Sequence, residues 1–317
     1  MTMLQKILIV CAATCLLSCA GKSTDDLNHE RLASELSFAN KVPLPEAVLT
    51  YGNWQLNPAI SDDFNYSEKN QQFFKKWHDN HIRGWKGPGA TYFSAEHSFI
   101  KAGQLVLTAA PVPADKQGKT VDYGNFETKK TIYTGFVTAK QVLSYPAYVE
   151  VNMKVSDLAL ANNFWLLSDD DRNEIDVTET YGDDERKVRL MATNYHIFKR
   201  DPKTNAMLDD YGHKQKHFKT PKQDKLNSSF HRFGFLWLSP TKMQFFLDGK
   251  AVRELSLRTD LTDPEGHYFD RPMRIIFDME DHVWRARKGI SPSKSDLMDV
   301  SRNKMYIDWI RTYQLTR

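Results

Sequence analysis

The chain of 317 residues has three cysteines, Cys11, Cys15 and Cys19, and none beyond residue 19. Everything after that point can form no disulfide, present no thiol nucleophile and hold no zinc through thiolates. An excess of one charge is also missing. Lys and Arg number 43 against 40 Asp and Glu, leaving a net charge of +3, with the two signs interspersed. That distribution excludes the basic stripe by which proteins grip nucleic acid, and no nucleic-acid motif accompanies it. The small basic surplus suits an acidic or sulfated polysaccharide at most. Internal repeats are absent, and so are long amphipathic helices, apart from one short helical segment at residues 68–77.

What is present begins with a leader. Lys6 precedes an apolar run from Ile7 to Leu17, followed by Ser18-Cys19-Ala20-Gly21. This has the length and order of a signal peptide and is too short to persist as a membrane span. Leu16-Leu17-Ser18-Cys19 resembles a bacterial lipobox, in which the cysteine becomes the lipid-bearing first residue; ordinary cleavage nearby is the alternative. Residues 1–18 are thus expected to be a lipoprotein signal, residues 19–42 a polar tether short of aromatics, and residues 43–317 one large domain. The expected address is exported and lipid-anchored to a bacterial membrane, at the outer membrane or cell surface.

Strand-length pieces dominate the domain: Gln104 to Ala109, Tyr148 to Val155, Val188 to Thr193, Phe230 to Leu238 and Met243 to Leu247. Turn signals separate them, Asp248-Gly249 being the clearest hairpin. Many short strands with frequent turns predict an all-β sandwich or barrel.

Within one such piece, Asn173-Glu174-Ile175-Asp176-Val177-Thr178-Glu179, three carboxylates interrupt a buried-strand pattern. Alternation puts Glu174 and Asp176 on one face and Glu179 on the other. One extra residue in a β-bulge would bring all three together. Crowded carboxylates raise one another's pKa, and two acids in different protonation states are what glycosidic cleavage needs. A surface strand with solvated acids is the competing reading of this motif by itself.

The run Asn163 to Arg172 followed by Glu174 to Glu179 resembles the bulged catalytic strand of family 16 glycoside hydrolases, as in β-agarases, β-porphyranases and κ-carrageenases. Trp85 to Thr91, His196 to Pro202, Glu280 to Arg285 and Ile307 to Arg311 resemble the β-agarase branch. The resemblance implies a jelly-roll β-sandwich of two antiparallel sheets with an open substrate cleft on the concave face. It implies Glu174 as nucleophile and Glu179 as acid/base, with Asp176 between them holding Glu174 and raising the pKa of Glu179. It further implies Trp85, Trp165, His196, Arg200, Glu280, Trp284 and Arg285 as sugar-binding residues, His196 being able to orient Glu179 or bond a hydroxyl. No cofactor is expected for catalysis, while Asp308 matches a strand where many members hold a structural Ca²⁺. Trp54, Trp237 and Trp309 sit in apolar runs and are expected in the core.

The chain departs from the agarase pattern at Ala90-Thr91-Tyr92-Phe93, which lacks a second Trp, at Thr180 after Glu179, and in a short segment between Gly182 and Val188. These departures touch sugar recognition rather than the acids. The reading is a retaining endo-hydrolase of β-1,4 bonds in agar-type red-algal galactan, with a porphyranase or mixed-agar hydrolase as runner-up. A non-catalytic carbohydrate-binding lipoprotein is the alternative from another class, and losing one of the two glutamates would have marked it. The expected partners are therefore the galactan and, through Cys19, a membrane. Labelled palmitate should enter the wild-type protein in its bacterial host and not Cys19→Ser; equal labelling of the two removes the anchor.

Overall fold

A computed structural model describes residues 42–221 and 223–316. The leader, most of the tether and the Cys19 anchor lie outside these residues. Two large sheets form the domain. One runs in the order Lys250–Ser256, Lys242–Leu247, His231–Ser239, Ala147–Lys154, Lys304–Thr316, Gln104–Pro111, Ile132–Thr134 and Thr91–Phe93. The other runs Met207–Asp210, Leu190–Arg200, Asn173–Tyr181, Ala161–Ser168, Met273–Glu280, Phe136–Ala139 and Trp77–His78. Pairing is antiparallel except between Thr91–Phe93 and Ile132–Thr134. This is the expected all-β sandwich.

Alternation explains which face each sheet buries. Phe164, Leu166, Ile175, Val177, Tyr195, Ile197, Ile275 and Phe277 point inward from the second sheet and meet Val149, Val151, Phe233, Phe235 and Ile307 from the first in one core. Their neighbours in sequence, including Trp165, Glu174, Asp176, His196 and Glu280, take the opposite face and line a cleft there. Asp248-Gly249 closes the predicted hairpin with positive φ at both residues, 49° and 79°, as a primed turn requires. The predicted short helix is Gln71–Lys76, whose first amides donate to the side chain of Asn70. Trp237 and Trp309 are buried as expected, and Trp54 packs half-buried in a smaller cluster with Val48, Tyr148, Leu236 and Phe246.

That smaller cluster lies on the outer face of the first sheet. Beneath it Glu150 and Arg311 form an ion pair with both side chains fully buried. Arg311 Nε donates to Glu150 at 2.9 Å, and the guanidinium also bonds the carbonyls of Val42 and Pro43. One side chain thus fastens the start of the domain to its last strand. Removing one member of a buried pair strands the other's charge, at a cost of roughly 3–5 kcal/mol. Arg311→Met should lower unfolding free energy in urea by about that amount, and adding Glu150→Gln should recover much of it; additive losses would contradict this account.

Candidate active site

The bulge is where the acids required it. Phe164 pairs with Thr178 and Trp165 with Asp176, so Val177 is the extra residue on the motif strand. Val177 and Thr178 both turn inward, being fully buried, and Glu179 is thereby restored to the face of Glu174 and Asp176. The three acids line one pocket of about 150 Å³ with Trp85, Asn163, Trp165, His196, Glu280 and His282.

Two imidazoles divide the acids between them. His196 lies across from Glu174 in the pairing of the two strands. Its Nε2 is 3.8 Å from Glu174 and 3.6 Å from Asp176, while Nδ1 donates to Asp210 at 2.6 Å. Burial alone would favour the neutral ring, but the bond to Asp210 and the carboxylates of Glu174 and Asp176 outweigh it and hold the pKa up at about 10. His282 stands at the other end, 3.6 Å from Glu179. Its Nε2 lies 3.0 Å from a Glu280 carboxylate oxygen, and its Nδ1 lies 2.7 Å from Tyr181 Oη. Burial again opposes charge there, and Glu280 and Glu179 override it, raising the pKa.

The carboxyls are pushed the same way. Burial, with Glu179 and Glu280 nearby, raises Glu174 to about 7 even though His196 pulls it down. Burial and the charges of Glu179 and Glu174 raise Asp176 well above the carboxylate range. A further acid, Asp278, lies beneath the pocket and accepts from Asn163 Nδ2 at 2.7 Å and Trp165 Nε1 at 3.0 Å. Burial and Glu280 raise it as well. Asp278 therefore fixes the indole plane of Trp165 beside the acids.

On the Glu174 side the cleft continues as a pocket of about 480 Å³ lined by Trp85, Trp165, Phe198, His81, Arg83 and Arg200, among others. Trp85 stands 41% exposed, supported edge-on by His81 and Phe93. Its loop is stapled down. Lys130 Nζ donates to the carbonyls of Gly87 and Gly89 at 2.7 and 2.9 Å, and Ala90 N–H donates to Asp281 at 3.1 Å. Gly89 has φ +50°, and a Cβ there would lie 2.3 Å from the Asp281 carbonyl oxygen, so only glycine fits.

Glu174, Asp176, Glu179, Trp85, Trp165, His196 and Glu280 are thus gathered in one pocket, and Arg200 lines the adjoining one. Other expectations are corrected. Arg285 is 1% exposed, bonds Asp183 at 2.7 and 3.0 Å and lies 4.0 Å from the Tyr181 ring centroid, so it supports Tyr181 from behind and reaches no sugar. Trp284, by contrast, is an exposed ring set edge-on to Tyr181, with the ammonium groups of Lys187 and Lys288 over it. His196 faces Glu174 and Asp176; the imidazole at Glu179 is His282. Arg200 Nε donates to the Asp171 carbonyl at 2.7 Å, and its guanidinium lies 3.9 Å from the Asp171 carboxylate. Asp308 sits in the first sheet, where its oxygens accept amide N–H groups from Gln104 and Asn152. Among the described residues, side chains able to share an ion are Glu174, Asp176 and His196, and His196, Asp210 and His213.

The family model for the glycoside hydrolase family 16 domain of β-porphyranases A–D matches residues 54–315. An extracellular agarase of Streptomyces coelicolor is 39% identical over 89% of this chain and 90% of its own length. β-Agarase AgaB34 of Agarivorans albus is 36% identical over 87% of this chain, which spans 60% of that relative. The solved structure of β-agarase A from Zobellia galactanivorans matches 87% of this chain and 98% of its own, with a TM-score of 0.73 and 30% identity.

The raised carboxyl of Glu174 has a consequence for stability. Its pKa is about 7 in the fold against about 4.3 in an unfolded chain. Its favourable contribution is therefore complete below about pH 4.3 and lost as pH rises through 7. Glu174→Gln, which cannot ionise, should melt close to wild type at pH 4.5 and several degrees higher at pH 8, at about 2–4 °C per kcal/mol. A gain that is the same at both pH values would refute the shift.

Proposed function

The chain belongs to glycoside hydrolase family 16, and from that membership we propose a retaining endo-hydrolase that cleaves internal β-1,4 galactosidic bonds of agarose. The observation that carries this reading is the bulge after Asp176, which sets Glu174 and Glu179 on one face of a cleft walled by Trp85 and Trp165. Two carboxyls on one strand suit the separation of about 5–5.5 Å of retaining enzymes, too short for an inverting water.

In this mechanism the Glu174 carboxylate attacks the anomeric carbon as Glu179 protonates the departing glycosidic oxygen. The C–O bond breaks and a glycosyl ester on Glu174 forms. Glu179, now ionised, takes a proton from water, whose oxygen displaces Glu174 with a second inversion. The cationic His196 favours the ionised Glu174, and Asp176, driven toward its neutral form, can donate a hydrogen bond to it. His282 positions Glu179 from the other side. Trp165, locked by Asp278, offers an apolar face to the pyranose, and Trp85 a second one toward the Glu174-side pocket.

The choice of neutral agarose over porphyran rests on the guanidiniums in that pocket. Arg83 is ion-paired with Asp171, and Arg200 Nε donates to the Asp171 carbonyl at 2.7 Å while its Nη1 donates to Asn205. A sulfate ester would have to compete with bonds already made. Export fits this activity, since the polymer cannot enter a cell, and a relative named as an extracellular agarase supports it; anchoring through Cys19 is part of the same proposal.

Glu174→Gln or Glu179→Gln should each lower kcat by roughly 10²–10⁴-fold or more while oligosaccharide binding persists. Proton NMR of early product should show the β-anomer first. Agarose, porphyran and κ-carrageenan incubated in parallel and read by mass spectrometry should give unsulfated oligosaccharides from agarose as the fastest products. An initial α-anomer overturns the retaining mechanism, and products that all carry a 6-sulfate beside the cleaved bond make the enzyme a porphyranase.

A further inference from the structure

His196 has a second set of neighbours that the hydrolytic mechanism does not use. Its Nδ1 is bonded to Asp210 Oδ2 at 2.6 Å, and its ring centroid lies 5.3 Å from that of His213. His196, Asp210 and His213 each offer one ligand atom, all within 4.8 Å of one another. We propose that these three side chains form a binding site for a divalent transition ion of the Zn²⁺ kind, at the edge of the cleft and sharing His196 with it.

The donor set selects the ion. Two imidazoles and one carboxylate suit Zn²⁺, Co²⁺, Ni²⁺ or Cu²⁺, whereas Ca²⁺ and Mg²⁺ take oxygen ligands. Three protein ligands leave a coordination position for water. Access is open, because His213 is exposed.

The surrounding structure holds the ligands in place beforehand. His213 has φ +60°, a left-handed conformation that a non-glycine residue keeps only when its neighbours impose it. Here they do. His213 N–H donates to the Tyr195 carbonyl at 2.7 Å, and buried Arg253 donates to the Lys214 carbonyl at 2.7 Å. Gly212 N–H donates to Asp210 Oδ1 at 3.0 Å, which orients the carboxylate and leaves Oδ2 for the ion. A Cβ on Gly212 would lie 2.4 Å from the Tyr195 carbonyl oxygen, so the turn can seat against the strand only with glycine there. The Asn194 amide lies 3.0 Å from His196 Nε2 and 3.5 Å from His213 Nδ1, bridging the two rings.

Binding replaces a proton with the ion. The N–H proton of the His196–Asp210 bond leaves to solvent, and metal–nitrogen and metal–oxygen bonds form with no change of oxidation state. Ligand bonds of about 2.0–2.1 Å need the two atoms more than about 3 Å apart, wider than their present 2.6 Å. Opening that gap shifts the His196 ring relative to Glu174 and Asp176, so an occupied site slows turnover. This last consequence rests on the hydrolase reading, whereas the site itself does not.

The test is a titration of the full chain with Co²⁺, followed by visible d–d absorption. One equivalent should saturate the wild type, Zn²⁺ should bleach the bands, and His213→Ala and Asp210→Asn should each bind about tenfold or more weakly. Asp176→Asn should retain the bands, which separates this site from the neighbouring group of Glu174, Asp176 and His196. Zn²⁺ should slow agarose hydrolysis by wild type but not by His213→Ala, whose basal rate should be unchanged. Absence of d–d bands, or equal affinity in wild type and His213→Ala, overturns the site. Equal inhibition of the two places the ion on the neighbouring group and does the same. Failure of the wild type to cleave agarose would count against the hydrolase reading alone, because the spectra do not depend on it.

Discussion

Carboxyl crowding is the constraint around which this fold is arranged. Glu174, Asp176, Glu179 and Glu280 face one pocket, and Asp278 lies beneath them. Among the described residues, two imidazoles, His196 and His282, are in contact with the four that face it. Burial, together with the neighbouring carboxylates, raises the proton affinity of Glu174, Asp176 and Asp278. Such an arrangement is unfavourable for folding and persists because the rest of the sandwich supplies the stability. The single large core lies between the sheets, behind the strands that carry the acids, and the buried Glu150–Arg311 pair joins two strands of the first sheet. The division is physical: one region stabilises the chain and another is held in a state that the first must support.

A few polar staples reinforce the packing of Trp85 and Trp165 against Phe93 and Phe136 at the cleft. Asp281 links three segments by accepting from Ala90, donating through its own N–H to Thr91 Oγ1 at 2.7 Å, and accepting from Ser291 at 2.7 Å. Lys130 adds its two carbonyl bonds, and burial lowers its pKa to about 8. These bonds join the loop that carries Trp85 to the strand end that carries Glu280 and His282. The Trp85 platform is thereby tied to the strand end beside Glu280 and His282.

The sequence disclosed a great deal of this, because periodicity is a local property. The buried-strand pattern around Glu174 and Asp176 and the parity break before Glu179 could be read residue by residue, and the bulge followed from them. Trp85 was legible from its Gly-Pro-Gly neighbour. What could not be read was pairing across the sheet. Nothing local distinguishes His196, opposite Glu174, from His282, beside Glu179. A weak signal did exist: Asp278, Glu280 and His282 are spaced two apart and so face one way at the end of a strand. Arg285 misled for the opposite reason. Its motif was right, but its guanidinium is turned inward to Asp183 by contacts that only the three-dimensional structure reveals.

The route by which the chain enters the domain has a mechanical meaning. Arg311 and the cluster around Val48 and Tyr148 fasten the segment after Val42 to the outer face of the first sheet, whereas the cleft opens on the outer face of the second. Whatever holds the preceding residues therefore pulls on the side of the molecule turned away from its working surface. A bead, a carrier domain or a cell coupled there leaves the groove facing outward, free to be pressed against a gel fibre far larger than the protein. The same geometry recommends the amino end over the carboxyl end for immobilisation, since the last strand is an integral member of the sheet, paired along much of its length.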